Sequence, residues 1–182
     1  MTLPRLTTGR LDLEPAGPEH LERFVELNSD PDVMRFLLGR AATRAEVEAE
    51  WERRLGPWSD VARGLGYWCG FESGTFVGWW SASAYAPDPS VAGVGYRLVS
   101  AAWGRGLASE GVTAAVAHAF TVPGILRCAA STMAVNVASR RVLEKAGFRH
   151  VDSYVGEWDD PLPGWEEGEV VYALQRDDWL VR

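Results

Sequence analysis

Two segments carry residues whose types and spacing suit chemistry. The first is Trp103-Gly104-Arg105-Gly106-Leu107-Ala108-Ser109, where small residues alternate with larger ones. It follows a strand-like run and precedes a helix-like one. The first N–H groups of a helix have no internal acceptor, and the helix dipole places partial positive charge there. Glycines let the backbone approach an anion closely. Such a turn suits phosphate oxygens, and Arg105 offers a charge-assisted hydrogen bond. It is not a P-loop, which needs Gly-x-x-x-x-Gly-Lys-Ser/Thr. It is not a dinucleotide fingerprint either, because Ser109 stands where the third glycine would be. A glycine-rich turn that only lets a helix pack has the same composition, so this segment alone does not decide the matter.

The second segment runs from Asn136 to Phe148. Asn136 suits a helix N-cap. Gly147 suits the left-handed residue past the helix end, with Phe148 meeting Leu143 across a Schellman turn. Helix architecture explains those residues without any chemistry. It does not require Ser139, which shares a face with Asn136 near the helix start.

The elements that position these segments follow from periodicity. Arg10–Pro15 alternates as a first strand, and Gly17-Pro18 opens a helix with Leu21, Phe24, Val25 and Asn28 inward. A short helix is expected around Asp32–Leu37. Thr43-Arg44-Ala45-Glu46 is a capping box for a helix carrying Val47, Trp51 and Leu55. Strands are expected over Tyr67–Glu72, Phe76–Ser83 and Val91–Val99, with a loop at Ala86–Ser90. A helix over Ala108–Phe120 turns Val112, Ala115, Val116 and Ala119 inward. Then come strand Leu126–Met133, helix Asn136–Ala146, strand Phe148–Glu157 and a closing strand Glu169–Leu174. The strand-helix-strand unit from Val91 to Met133 calls for a parallel pair with a right-handed crossover. The expectation is one α/β (α+β) domain over residues 1–182: a mixed, mostly antiparallel sheet of about seven strands with helices on both faces.

With the elements in place, the chain resembles the GNAT superfamily of N-acetyltransferases. Within it, the chain is similar to the branch of the ribosomal-protein N-terminal acetyltransferases RimJ and RimL. The resemblance rests on Gly95-Tyr96-Arg97-Leu98, Trp103 through Glu110, Asn136-x-x-Ser139 through Phe148, and Gly168 through Leu174 followed by Trp179. It implies acetyl-CoA as cosubstrate, a splayed parallel strand pair that admits it, and a primary amine as acceptor, on a peptide or protein N-terminus or a small molecule. By the same resemblance, Trp103, Gly104, Arg105, Gly106, Leu107, Ala108 and Ser109 hold the pyrophosphate. Val99 meets the pantetheine arm, a backbone N–H near Val99 polarises the thioester carbonyl, and Asn136 and Ser139 face the cofactor from the other side.

The resemblance departs at two positions. Where many relatives hold a helix tyrosine as acid, this chain has Leu143, and Ser139 is the replacement, as acid or as thiol-orienting group. Where many hold a glutamate base, this chain has Gly93, leaving Glu72, Glu110, Tyr96 and Asp88 as substitutes. A site without a strong base favours amines of low pKa. Deprotonating lysine at pH 7 costs about 4.6 kcal/mol, an α-amine only about 1–1.4 kcal/mol. Trp158, Asp159, Asp160 and Trp165 offer aromatic and carboxylate contacts to a cation, though a surface turn has the same composition.

Composition narrows the rest. A net charge of −7 argues against general nucleic-acid binding, which needs a basic surface. The two cysteines have no metal-ligand spacing and fit a reducing, cytoplasmic setting. No run approaches the ~20 apolar residues of a membrane helix, and the N-terminus lacks a signal-peptide pattern. A monomer or homodimer is expected. The competing readings are an acyl-CoA-binding or sensing module without activity, and an unrelated nucleotide-binding α/β protein.

Overall fold

The computed structural model describes residues 3–84, 88–156 and 161–181. Ala86, Pro87, Glu157, Trp158, Asp159 and Asp160, all invoked above, lie outside the described residues.

Among the described residues, eight strands form one sheet in the order β1-β2-β3-β4-β5-β6-β8-β7. They are β1 Leu6–Thr7, β2 Asp12–Pro15, β3 Gly66–Glu72, β4 Thr75–Ala84, β5 Val91–Leu98, β6 Arg127–Met133, β7 Arg149–Tyr154 and β8 Glu169–Gln175. Every neighbouring pair is antiparallel except β5 and β6. The expected seven strands are all present. The eighth, β1, has two residues, too few to show an alternation. The final strand does not lie at the edge: β8 inserts between β6 and β7, leaving β7 outermost.

Helices α1 Leu21–Asn28, α2 Pro31–Met34 and α3 Arg44–Leu55 precede the sheet's centre. Phe24, Leu27, Val47 and Trp51 from this group pack with Tyr67, Cys69 and Trp79 on one face. The inner stripe of α1 therefore includes Leu27, whereas Leu21 and Val25 are only partly buried. Thr43 and Glu46 form the expected reciprocal cap of α3. On the other face lie α4 Leu107–Ala119 and α5 Val137–Ala146, whose Leu107, Val112, Val116 and Leu143 join Trp68, Trp80 and Tyr172 in the main core. Helix α6 spans Arg176–Leu180.

Two details fix α4 and α5. Trp80 is wholly buried and its Nε1 donates to the Ala108 carbonyl at 3.1 Å, tying β4 to the first turn of α4. Gly147 is left-handed at φ 96°, and the Phe148 N–H donates to the Leu143 carbonyl at 3.0 Å, closing the Schellman turn.

Candidate active site

The parallel strands part company early. Residues pair at Val91 with Arg127, Ala92 with Cys128 and Gly93 with Ala129, and no further. Strand β5 nevertheless runs on to Leu98 and β6 to Met133. Beyond Gly93 the two strands diverge, and a cleft opens between them. Backbone groups of β5 alternate between its two neighbours. The Val99 N–H donates to the Val77 carbonyl of β4 at 3.0 Å. The Val99 donor is therefore taken, and a free N–H near Val99 has to come from a neighbouring residue. The same alternation turns the N–H groups of Tyr96 and Leu98 towards the cleft.

The turn leading into α4 lies at the C-terminal end of β5. Gly104 and Gly106 are left-handed, at φ 70° and 81°, and a Cβ on Gly104 would meet nothing within 4 Å. No side chain caps α4. The N–H groups of Leu107, Ala108 and Ser109 therefore face outward without an intrahelical acceptor. Trp103 is about half exposed, its Nε1 bonded to the Leu98 carbonyl at 3.0 Å. These features fit a pyrophosphate held by backbone amides.

Arg105 pairs through its guanidinium with Glu72 at 2.7 Å. Its carbonyl accepts from Arg10 Nη1 at 2.9 Å. Glu110, one turn into α4, accepts from Thr8 Oγ1 at 2.6 Å, the Arg10 N–H at 2.9 Å and Arg10 Nε at 2.7 Å. Burial works against ionisation of Glu110, but these hydrogen bonds outweigh it and hold the carboxyl below its ordinary range. Thr8 and Arg10, in the β1–β2 connection, thus brace the cradle from outside. No local pattern marks them, because their partners lie about a hundred residues away.

Asn136 caps α5, accepting from the Ser139 N–H at 3.2 Å. Ser139 Oγ lies 2.8 Å from Tyr96 Oη, and the Tyr96 hydroxyl also reaches the Ser139 carbonyl at 3.1 Å. Tyr96, on the diverging stretch of β5, thereby meets the first turn of α5. Burial pushes its phenol up to about 12, with the Ser139 hydrogen bond acting the other way. Ionising it at pH 7 would cost about 7 kcal/mol, so the Tyr96 hydroxyl is protonated at neutral pH.

The three substitute carboxylates are engaged elsewhere. Glu72 holds Arg105, Glu110 holds Arg10, and Asp88 accepts from the Ser90 N–H and Oγ at 2.9 and 2.6 Å. A carboxylate that sequence reasoning missed is Glu169, the first residue of β8 and opposite Met133 of β6. Burial raises its pKa. Nothing in its local sequence signals this, since the half-burial comes from β8 lying between two strands.

Comparison with known proteins decides the family. Residues 10–149 match the family described as the acetyltransferase (GNAT) domain. The chain belongs to the GNAT acetyltransferases. It is 37% identical over 188 residues to the "FsC-acetyl coenzyme A-N(2)-transacetylase" of Aspergillus fumigatus, covering 97% of this chain and 78% of that protein. Among solved structures, a GNAT acetyltransferase from Bacillus anthracis superposes with TM-score 0.76 at 19% identity, covering 96% of this chain and 99% of that one. RimL, a ribosomal L7/L12 alpha-N-protein acetyltransferase in complex with coenzyme A, superposes with TM-score 0.74 at 19% identity, covering 98% and 99%. This GNAT enzyme is an acetyl-CoA-dependent N-acetyltransferase, and amine is its acceptor. Among the described residues no three His, Cys, Asp or Glu side chains gather as a metal site, and no helix is long and apolar enough to cross a membrane.

Proposed function

We propose that this GNAT enzyme acetylates α-amines, with acetyl-CoA laid along the cleft between β5 and β6. The observation that carries the reading is the end of β5–β6 pairing at Gly93 and Ala129, which opens the sheet between the α4 cradle and the Tyr96–Ser139 pair. Bound acetyl-CoA supplies a thioester open to direct attack by an amine. Backbone amides from Gly104 to Ser109 hold its phosphates, with Trp103 and Val99 alongside. The N–H of Tyr96 or Leu98 donates to the acetyl oxygen as it gains charge; one such preorganised donor is typically worth about 10²–10³ in rate. The amine nitrogen forms its bond to the acetyl carbon, the carbon–sulfur bond breaks, and the sulfur takes a proton from the Ser139–Tyr96 pair. Asn136 keeps Ser139 in place through the cap. The amine's own proton leaves to water, and solvent returns a proton to the Ser139–Tyr96 pair.

Two relatives support the α-amine. The name of the Aspergillus protein places transfer at an N(2) nitrogen, and that of RimL at a protein alpha-N. The scarcity of a free carboxylate base agrees with amines that lose a proton easily. The enzyme acts as one domain, as a monomer or homodimer, in the cytoplasm. An amine panel read by free-thiol release from acetyl-CoA tests the reading. Peptide N-termini and amino-acid-like α-amines should outpace lysine side chains at neutral pH. Faster lysine acetylation would reject the α-amine, and acetyl-CoA binding without turnover on any amine would reject catalysis.

A further inference from the structure

The face of the sheet opposite α4 and α5 holds a buried charge cluster that acetyl transfer as described does not use. Arg54 on α3 donates to Glu50 Oε1 at 2.6 Å, and Arg97 on β5 reaches Glu50 Oε2 at 3.3 Å and Asn28 Oδ1 at 2.7 Å. Arg54 and Arg97 side chains are 5% and 9% exposed. Two guanidinium groups thus share one carboxylate, and among the described residues no second anion joins them. The surplus shows in the hydrogen bonding: Arg54 Nε is buried without a partner, as is Trp79 Nε1 beneath it. The Arg54 guanidinium lies 3.9 Å from the Trp79 ring centre. Burying an unmatched charge is costly, and a structure that retains one uses it or loses stability for nothing.

The cluster adjoins the cleft. The Arg54 guanidinium lies 4.8 Å from the Tyr67 ring centre, Tyr67 pairs with Ser81 on β4, and Ser83 Oγ, two residues on, donates to the Gly93 carbonyl at 3.1 Å. Gly93 is the last residue of β5 paired before the strands diverge. Gly93, Gly95, Ser81 and Ser83 line this face with small side chains, while α4 and α5 cover the other. The small side chains leave room on this face, beside Tyr67 and Ser83, for an acceptor.

We propose that the unmatched positive charge of the Arg54–Glu50–Arg97 cluster keeps the bound acceptor amine neutral, so that these residues act as positioning groups in place of a general base. The inference rests on the acetyl-transfer reading above. A nearby fixed cation disfavours the ammonium form and leaves the attacking lone pair free. The other titratable groups near this region are Tyr67 and Cys69 on β3, both pushed upward by burial and neutral, and Glu14 and Glu19, whose charges act on Cys69; Glu169 begins β8, on the far side of β6 from β5.

The test is the acid limb of kcat against pH at saturating acceptor, which reports the bound amine, whereas kcat/KM reports the free one. Arg54→Met removes the surplus and should move the kcat limb up by about one pH unit. Glu50→Gln enlarges the surplus and should move it down by a similar amount. Arg54→Lys keeps the charge and the wild-type limb, and Glu169→Gln leaves it in place. The kcat/KM limb should stay at the free amine's pKa throughout. Coincident limbs, shifts of one sign in both charge variants, or loss of the limb in Glu169→Gln would overturn the proposal. Where Arg54→Met fails to fold, Glu50→Gln against Arg54→Lys decides alone. Absence of turnover by the wild-type enzyme on every amine would instead reject the transfer reading itself.

Discussion

Tyr96 Oη lies 2.8 Å from Ser139 Oγ, joining the diverging stretch of β5 to the first turn of α5. In the proposed mechanism this pair supplies the hydroxyl donor of a GNAT enzyme that has Leu143 where the resemblance leads one to expect tyrosine. A phenol held neutral by burial backs a serine whose backbone is fixed by the Asn136 cap. Ser139→Ala should lower kcat about 10²-fold with little change in the KM for acetyl-CoA. Tyr96→Phe loses the hydroxyl that meets both Ser139 Oγ and the Ser139 carbonyl and should lower kcat about 5–10-fold. The double variant should be no worse than Ser139→Ala, because the two act as a unit. Steady-state kinetics on the three variants checks this, and full activity in Ser139→Ala would remove the pair from the mechanism.

The same phenol links stability to alkaline pH. Its ordinary pKa of 10 applies to the unfolded chain, and burial takes it to about 12 in the fold. The folded state therefore keeps a proton that the unfolded state has lost. The sign follows: the contribution is complete below pH 10 and disappears as pH rises towards 12, about 2–3 kcal/mol in all. Denaturant titrations of wild type and Tyr96→Phe across that window should diverge, the wild type falling more steeply. Parallel curves would show that Tyr96 ionises as readily in the fold as out of it.

Local features of this fold were readable in the chain, and long-range ones were not. Thr43 with Glu46, and Leu143 with Gly147 and Phe148, each act within a turn or two of themselves, so residue type and spacing suffice. The alternation of Val91–Leu98 tells which side chains share a face. It does not tell which neighbouring strand each N–H meets, and only the bond from Val99 to Val77 shows that the donor expected near Val99 is not Val99's own. Glycine spacing marked the left-handed turn before α4, but nothing local announces the pairing of Arg105 with Glu72 on β3. The insertion of β8 between β6 and β7 depends on sheet pairing across a connection, which periodicity does not encode.

Arg10 is the least obvious residue of the cofactor site, since it touches the cradle only from behind. It holds the Arg105 carbonyl and Glu110 together. Arg10→Ala leaves the backbone donors in place but frees the turn that aims them. A partly exposed pair contributes about 0.2–1 kcal/mol and a charged hydrogen bond somewhat more, so the KM for acetyl-CoA should rise about 3–10-fold. The value of kcat should hold, as Tyr96 and Ser139 are untouched. Isothermal titration with coenzyme A gives an independent reading, and unchanged affinity would reduce Arg10 to a surface residue.

Gly111 makes the sharpest demand on packing. It lies mid-helix in α4, where alanine normally stabilises by about 1 kcal/mol over glycine. Here a Cβ would come within 2.3 Å of Trp80 Cε2 and 2.4 Å of its Nε1. Trp80 has no room to retreat, because a Cβ-less Gly70 already accommodates its far edge, with Cζ3 2.2 Å from where a Cβ would stand. Relief must come from α4 moving off the sheet, which also breaks the Nε1 bond to the Ala108 carbonyl. Overpacking costs about 1–3 kcal/mol and an orphaned buried donor about as much again, so the clash outweighs the propensity gain. Gly111→Ala should lose about 2–3 kcal/mol, or about 4–10 °C in Tm for a chain of this size. Because the displaced turn carries Leu107, Ala108 and Ser109, the KM for acetyl-CoA should rise in the same variant. Thermal melts with and without acetyl-CoA test both effects, and a stabilised Gly111→Ala would mean that Trp80 can yield where its packing says it cannot.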